Sequence, residues 1–372
     1  MKKSYLLFSF FALALVTFLS CSKSDSEYVP LPQNPAIDTT PRLDLTKVPF
    51  AKLSDYNFFL GDLKNLSPAL DVLPYEPASS LFADYAHKKR FVYVPKDTKV
   101  TYNGDENVFE FPVGSVLIKS FYYDNVMPDN VTKIIETRFL VRKNDGWKAY
   151  EYIWNATQTE ANLQANGNGT VVPITWMHNG VQKNINYETP AQGQCITCHN
   201  IKLPSAPNVE KTTPIGPKPQ NLNTNYNYNG TTINQIAKWR AMGYLGNDVP
   251  ATINSTVDYK DTSKSLELRA RSYLDINCAH CHRQGGHCDR VPQRLDFNNT
   301  NMATLGLCLA PATTGNGTFI INGGNADDSG LVVRMSSDVG SVMMPYIGRT
   351  IVHEEGIQLI KDWINSLDRT CR

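Results

Sequence analysis

The spacing of apolar positions changes character along this 372-residue chain. Between about residues 90 and 190 they fall in short β-branched and aromatic runs: 91–94 (Phe-Val-Tyr-Val), 108–111, 115–121, 137–141 and 149–154. Gly, Pro, Asn and Asp separate these runs, and that punctuation predicts strands. Residues 171–176 and 183–187 add a hairpin that turns around His178-Asn179-Gly180, a favourable tight-turn sequence. Upstream, 53–60 and 81–86 are aromatic-rich and read as short helices or packed turns. Downstream the period lengthens. Residues 232–242 read as a helix ending at Gly243; Leu266, Ala270, Tyr273 and Leu274 recur at helical spacing. Ile360, Trp363, Ile364 and Leu367 sit at i, i+3, i+4 and i+7 of a terminal amphipathic helix. A short helix capped by Asp328 or Ser329 lies between them. The segments 204–229 and 285–324 show no periodicity. These patterns predict an α+β chain, with a β-sandwich or barrel over 48–190 followed by mainly α-helical domains over 191–262 and 263–372.

The N-terminus reads as a targeting segment. Lys2 and Lys3 precede an apolar run that is too short and too terminal for a good membrane span. It closes on Phe18-Leu19-Ser20-Cys21, which resembles a lipoprotein signal over residues 1–20, with lipid carried on Cys21; a plain signal peptide with an incidental cysteine is the simpler alternative. Residues 21–47 are polar and dotted with Pro, as a flexible tether would be. The expectation is an exported chain, lipid-anchored to the cell envelope and facing the periplasm or the surface. Composition adds one exclusion: 36 basic against 35 acidic residues leave a net charge of +1, so no basic surface advertises nucleic acid.

The chemistry is concentrated in two copies of one pattern. Cys278-Ala-His-Cys281-His282 follows the helical run at 266–274, and Cys195-Ile-Thr-Cys198-His199 precedes it by 278 − 195 = 83 residues. C-x-x-C-H is the attachment pattern of a c-type haem: two thiols form thioethers and the adjoining His ligates iron. Two covalent haems are therefore expected, on Cys195 and Cys198 and on Cys278 and Cys281, with His199 and His282 as axial ligands. A Cys₄ zinc site fits poorly, because such pairs usually lie about 15–20 residues apart. Met344, 344 − 282 = 62 residues after His282 and just before Pro345, is the expected sixth ligand of the second haem, with Met343 and Met335 as competitors. For the first haem, Met242 is the first choice, ahead of His178, with water or an open site as the alternative. Arg290, Arg294, Arg334 and Arg349 are candidates for pairing with haem carboxylates. Of eight cysteines, one is assigned to lipid and four to haem, leaving Cys288, Cys308 and Cys371. An oxidising compartment then favours one disulfide. Cys308–Cys371, which would clamp the terminal helix, is preferred over the local pair Cys288–Cys308.

These stretches are similar to a little-characterised family of exported bacterial dihaem c-type cytochromes, often encoded beside parallel β-helix repeat proteins. The likeness covers about 48–371. It rests on Leu60-Gly-Asp-Leu, Leu73-Pro-Tyr, the run 81–92, Gln194-Cys-Ile-Thr-Cys-His, Pro214-Ile-Gly-Pro-Lys, the run 271–282, Met343-Met-Pro and Trp363-Ile-Asn-Ser-Leu with Cys371. The resemblance implies two covalent haems and no assigned substrate, and it supports the pair Cys308–Cys371. The combined expectation is a carrier of single electrons between redox partner proteins, a β-helix repeat protein being one candidate partner. The rivals are a dihaem peroxidase or oxidase with an open first haem, and an electron-accepting subunit of a dehydrogenase.

Overall fold

Alternate residues of the central strands are divided between two different cores. In the computed structural model, which describes residues 38–203, 206–313, 315–368 and 371, ten strands precede residue 190. A small hairpin joins β1 (Phe59–Leu60) to β2 (Ser67–Pro68). The main sheet holds β3 (Val72–Pro74), β4 (His87–Tyr93), β5 (Val116–Val126), β6 (Val131–Lys143), β7 (Gly146–Trp154), β8 (Ala161–Leu163), β9 (Val171–His178) and β10 (Val181–Glu188). It is antiparallel throughout. On one face Val116, Ile118, Phe139, Val141 and Tyr152 pack against Leu53, Tyr56 and Phe58 from the preceding segment. Successive strand residues point to opposite faces, so Leu117, Lys119 and Phe121 of β5 look the other way, towards the second half of the chain.

The tight turn expected at Asn179-Gly180 is present, with positive φ at both residues (49° and 79°), the requirement of a two-residue hairpin of this hand. β5 carries two register shifts and reaches β9 through the single pair Val126↔Trp176. The hairpin β9–β10 thereby extends the sheet past the bend. The expected β-rich region is thus one eight-stranded sheet among the described residues.

Beyond residue 190 the expectation of mainly α-helical haem domains is overturned. Strands make up 28% of the chain against 19% for helix. The helices are α1 (Gln192–His199), α2 (Pro219–Leu222), α3 (Gln235–Ala241), α4 (Leu266–Leu274), α5 (Met302–Leu305), α6 (Gly330–Met335) and α7 (Glu354–Asn365). Only α4 (9 residues) and α7 (12 residues) exceed eight. Two further hairpins, β11 (Asn200–Leu203) with β12 (Ala206–Thr212) and β13 (Asn225–Tyr228) with β14 (Thr231–Asn234), occupy part of what was read as helical. The cause is local: Pro, Asn and Gly recur too often for helices to propagate, and the backbone is satisfied instead by turns and single bridges.

What remains helical is well built. Ser265 caps α4 by accepting from Leu268 N–H at 3.3 Å. Ala270, Tyr273 and Leu274 on α4 pack with Ile360, Trp363 and Ile364 on α7 in one core. Gly356 permits the close approach, since a Cβ there would meet Tyr273 Oη at 2.3 Å. The Trp363 indole donates to Glu267 across the pair. Cys308 and Cys371 form a disulfide, S–S 2.01 Å, that ties the end of α7 to the preceding loops. Residues Thr39–Arg372 pack as one compact unit. The expected signal segment, Cys21 and nearly all of the tether lie outside the described residues. Among the described residues no helix is long and apolar enough to cross a membrane.

Candidate functional site

Two chain segments that bear the same pattern, far apart in sequence, touch in the fold. Cys195, Cys198 and His199 lie on α1, a helix with no buried residue. Cys278, Cys281 and His282 follow α4, where Asp275–Ala279 forms a wide π-helical turn at the end of the buried helix. The Cys281 thiol points to the Thr197 carbonyl at 3.8 Å. Ligand atoms of Cys198, His280 and Cys281 lie within 4.8 Å of one another. Among the described residues the five cysteines outside the disulfide are free thiols.

Each motif also lines a cavity, and Cys198 borders both of the larger ones. The first, of about 270 Å³, is bounded by Cys195, Cys198 and His199 on one side and by Arg90, Lys119, Arg138 and Tyr150 of the sheet on another. A second, of about 400 Å³, is lined by Cys278, Cys281, His282, Met335, Met344, Arg290 and Arg334, a size typical of small-molecule sites. A smaller space of about 120 Å³ between them is lined by both Cys198 and Cys278.

The two imidazoles are prepared differently. His199 Nδ1 lies 2.8 Å from the Thr213 carbonyl, which makes Nδ1 the protonated nitrogen and leaves Nε2 with a free lone pair, the usual state of a metal-binding His. His282 Nδ1 is buried with no hydrogen-bond partner, as is His280 Nδ1. Burial pushes both His199 and His282 down to about 4, so both rings are neutral at physiological pH and able to ligate. Among the thiols, Cys198 is pulled down and Cys281 pushed up because the two share a hydrogen bond. Burial pushes Cys278 up to about 12.

Met344 lines the second cavity together with His282, as expected from the sequence. Met335, on α6, lines it too, whereas Met343 is buried away from it. The structure does not bring Met242 to the first motif. It follows α3, whose Trp239 is fully buried in a separate core, and it packs there with Tyr102, Val108 and Leu140. His178 is likewise elsewhere, its ring 4.6 Å from that of Tyr85. Among the described residues the first cavity contains no methionine and no histidine besides His199. Of the arginines singled out, Arg290 and Arg334 line the second cavity, and Arg334 Nε is buried without a partner. Arg294 is paired with Asp289 at 2.7 Å, and Arg349 bonds the Met344 carbonyl at 2.9 Å, holding the loop that carries Met344. Cys288 borders the second cavity as a free thiol.

Sequence reasoning missed the wall opposite the first motif. Arg90, Lys119, Arg138 and Glu151 are direct cross-strand partners on β4, β5, β6 and β7. The signal was legible only in part: Lys119 interrupts an apolar run, Val-Leu-Ile-Lys119-Ser-Phe, whereas Arg90 and Arg138 follow polar residues. A scan of protein-family models, a search of curated proteins and a search of solved structures each return no match for this chain.

Proposed function

We propose that this chain is a dihaem c-type electron-transfer protein, in which single electrons enter at one haem and leave from the other between redox partner proteins of the cell envelope. The observation that carries the reading is the contact between the two Cys-x-x-Cys-His segments, each facing a separate cavity. The residues present fit the group. Each cavity offers two free thiols on one edge, a neutral imidazole beside them and cationic side chains farther out. The orphaned nitrogens of His282 and Arg334 are the kind of buried polar atoms that a bound partner satisfies.

Cys195 and Cys198 would hold the first haem, with His199 oriented by Thr213; Cys278 and Cys281 would hold the second, with His282 on one side and Met344 on the other. The bound group supplies a one-electron iron couple, and a Met/His ligand pair raises its potential. The chain's own residues do the rest: the Thr213 carbonyl orients the His199 ring, and the contact of the Cys281 thiol with the Thr197 carbonyl holds the two segments side by side. Neither Met nor a second His lines the first cavity. That asymmetry keeps alive a peroxidase-type variant of the reading, in which the first site stays open to a small ligand.

A second reading has its own observation. Cys198, Cys281 and His280 converge closely enough to bind one metal ion, and three Cys/His donors suit zinc. One experiment separates the two. The full chain, produced in a host that attaches haem during export, should carry two haem masses, and Cys195→Ser/Cys198→Ser and Cys278→Ser/Cys281→Ser should each lose one. Thiols that remain open to alkylation, with one zinc per chain by elemental analysis, would establish the metal site instead. If the oxidised two-haem protein is high-spin at one site and binds cyanide, the simple carrier gives way to the open-site variant.

A further inference from the structure

The sheet face over the first motif carries positive charges where its own pattern calls for apolar residues. Along the columns that hold Arg90, Lys119 and Arg138, the flanking row at one end is the apolar Val92, Leu117 and Leu140, and at the other end it is Lys88, Phe121 and Glu136. Val92, Leu117 and Phe121 are buried, so the row is no solvated face. Like charges directly opposite each other across strands destabilise a sheet, and this face holds three in succession.

The acids available pair with Arg138 and Arg90 but not with Lys119. Arg138 is held by Glu136, through Nε at 2.6 Å and Nη2 at 2.5 Å, and Glu136 also accepts from Tyr187 at 2.6 Å. Arg90 reaches Glu76 at 3.4 Å, and that carboxylate is half exposed. Glu151, the fourth residue of the row, is kept protonated by burial and by Glu136, with Oε1 lacking any partner. Lys119 is left over. Among the described residues its ammonium makes no hydrogen bond or ion pair and only faces the Phe121 ring, 5.1 Å from its centre. Burial and the neighbouring Arg138 and Arg90 push its ammonium down to about 7, so an anion brought into the cavity that Lys119 lines with Cys195, Cys198 and His199 would restore its full charge.

We propose that Lys119, backed by Arg90 and Arg138, is the seat for a carboxylate of the group attached through Cys195 and Cys198. A haem carries its two vinyl groups on one edge and its two carboxylates on the other, and Arg90, Lys119 and Arg138 line the same cavity as the thiols and His199. The proposal rests on the haem reading, and it makes Lys119 a positioning and potential-setting residue. Removing the cation leaves the carboxylate uncompensated beside the iron and disfavours the added electron.

The test is a spectroelectrochemical titration of the two-haem protein carrying Lys119→Met, with Lys119→Gln and Lys119→Arg alongside and intact mass measured on each. The neutral variants should move one of the two transitions to lower potential by roughly tenfold in the reduction equilibrium, about 59 mV for one electron. Lys119→Arg should restore it, and the spin-state signature should not change. Loss of one attachment in both neutral variants, with retention in Lys119→Arg, would also support the seat. Unmoved potentials overturn the proposal. So does a changed spin state in Lys119→Met, which would make Lys119 an iron ligand, and so does loss of attachment in all three variants. The haem reading fails separately, if the unaltered chain carries no mass at Cys195 and Cys198.

Discussion

The same five-residue pattern is supported in two opposite ways. Around Cys278–His282 the chain is anchored from within. The motif grows out of α4, α4 packs on α7 through a shared apolar core, and the disulfide Cys308–Cys371 closes the far end. Around Cys195–His199 the helix buries none of its residues, and its cavity is walled by charged side chains of the sheet. One pattern thus faces a cavity with thioethers beside its imidazole, and the other a cavity without one, walled by the cations of the sheet. The pattern fixes which atoms are presented, and the wall it faces sets their surroundings.

That contrast can be broken or sharpened by substitution. The largest effect is expected for Trp363→Ala: the side chain is fully buried between α4 and α7, and its loss should cost about 3–5 kcal/mol in urea unfolding. A cost under about 1 kcal/mol would mean the helix pair does not support the second motif. Cys308→Ala/Cys371→Ala comes next. Opening a loop with a sequence separation of 63 should lower stability by about 4 kcal/mol on chain-entropy grounds. An unchanged midpoint would detach the disulfide from this side's stability.

The third effect is a pH dependence. His353 is buried, stacks on Phe82 at 4.2 Å and meets Tyr273 Oη at 2.9 Å; burial pushes it down to about 4. Since the unfolded chain takes up the proton near pH 6.5 and the folded chain only near 4, the stability His353 contributes is complete above 6.5. It falls as pH drops to 4, by about 3 kcal/mol in all. His353→Gln should flatten that part of the pH profile of the urea midpoint; an identical profile in the variant would assign the slope to other groups. The smallest effect belongs to the first motif. Ile196 sits within it but is 52% exposed, so Ile196→Ala should shift stability by less than about 0.5 kcal/mol. A loss above about 1.5 kcal/mol would show that α1 is packed in solution and would erase the asymmetry.

Much of this was legible residue by residue. The strand runs, the Asn179-Gly180 turn, α4, α7 and both motifs follow from local spacing and turn chemistry, which act over a few neighbours. The two motifs, and the position of Met344 after His282, were legible from order along the chain, and the fold places Met344 and His282 on one cavity. The mainly helical character expected of the second half failed because its good helices, 266–274 and 354–365, are few and short, and the Pro- and Asn-rich segments around them form hairpins and turns. Met242 failed for a related reason. A plausible distance along the chain says nothing about which side of α3 is buried, and Trp239 turned that helix into another core.

The sequence by itself determined which atoms are available: four thiols and two imidazoles in two fixed local arrangements, a sheet-forming half and two capped helices. These depend on covalent spacing and short-range sterics. Only the tertiary structure decided that the two arrangements touch, that one faces a methionine and the other a row of cations, and that Lys119 is left without a partner. Those facts come from strand register and packing, where residues far apart in the chain are brought opposite one another. No local pattern encodes which side chain a cross-strand neighbour will be.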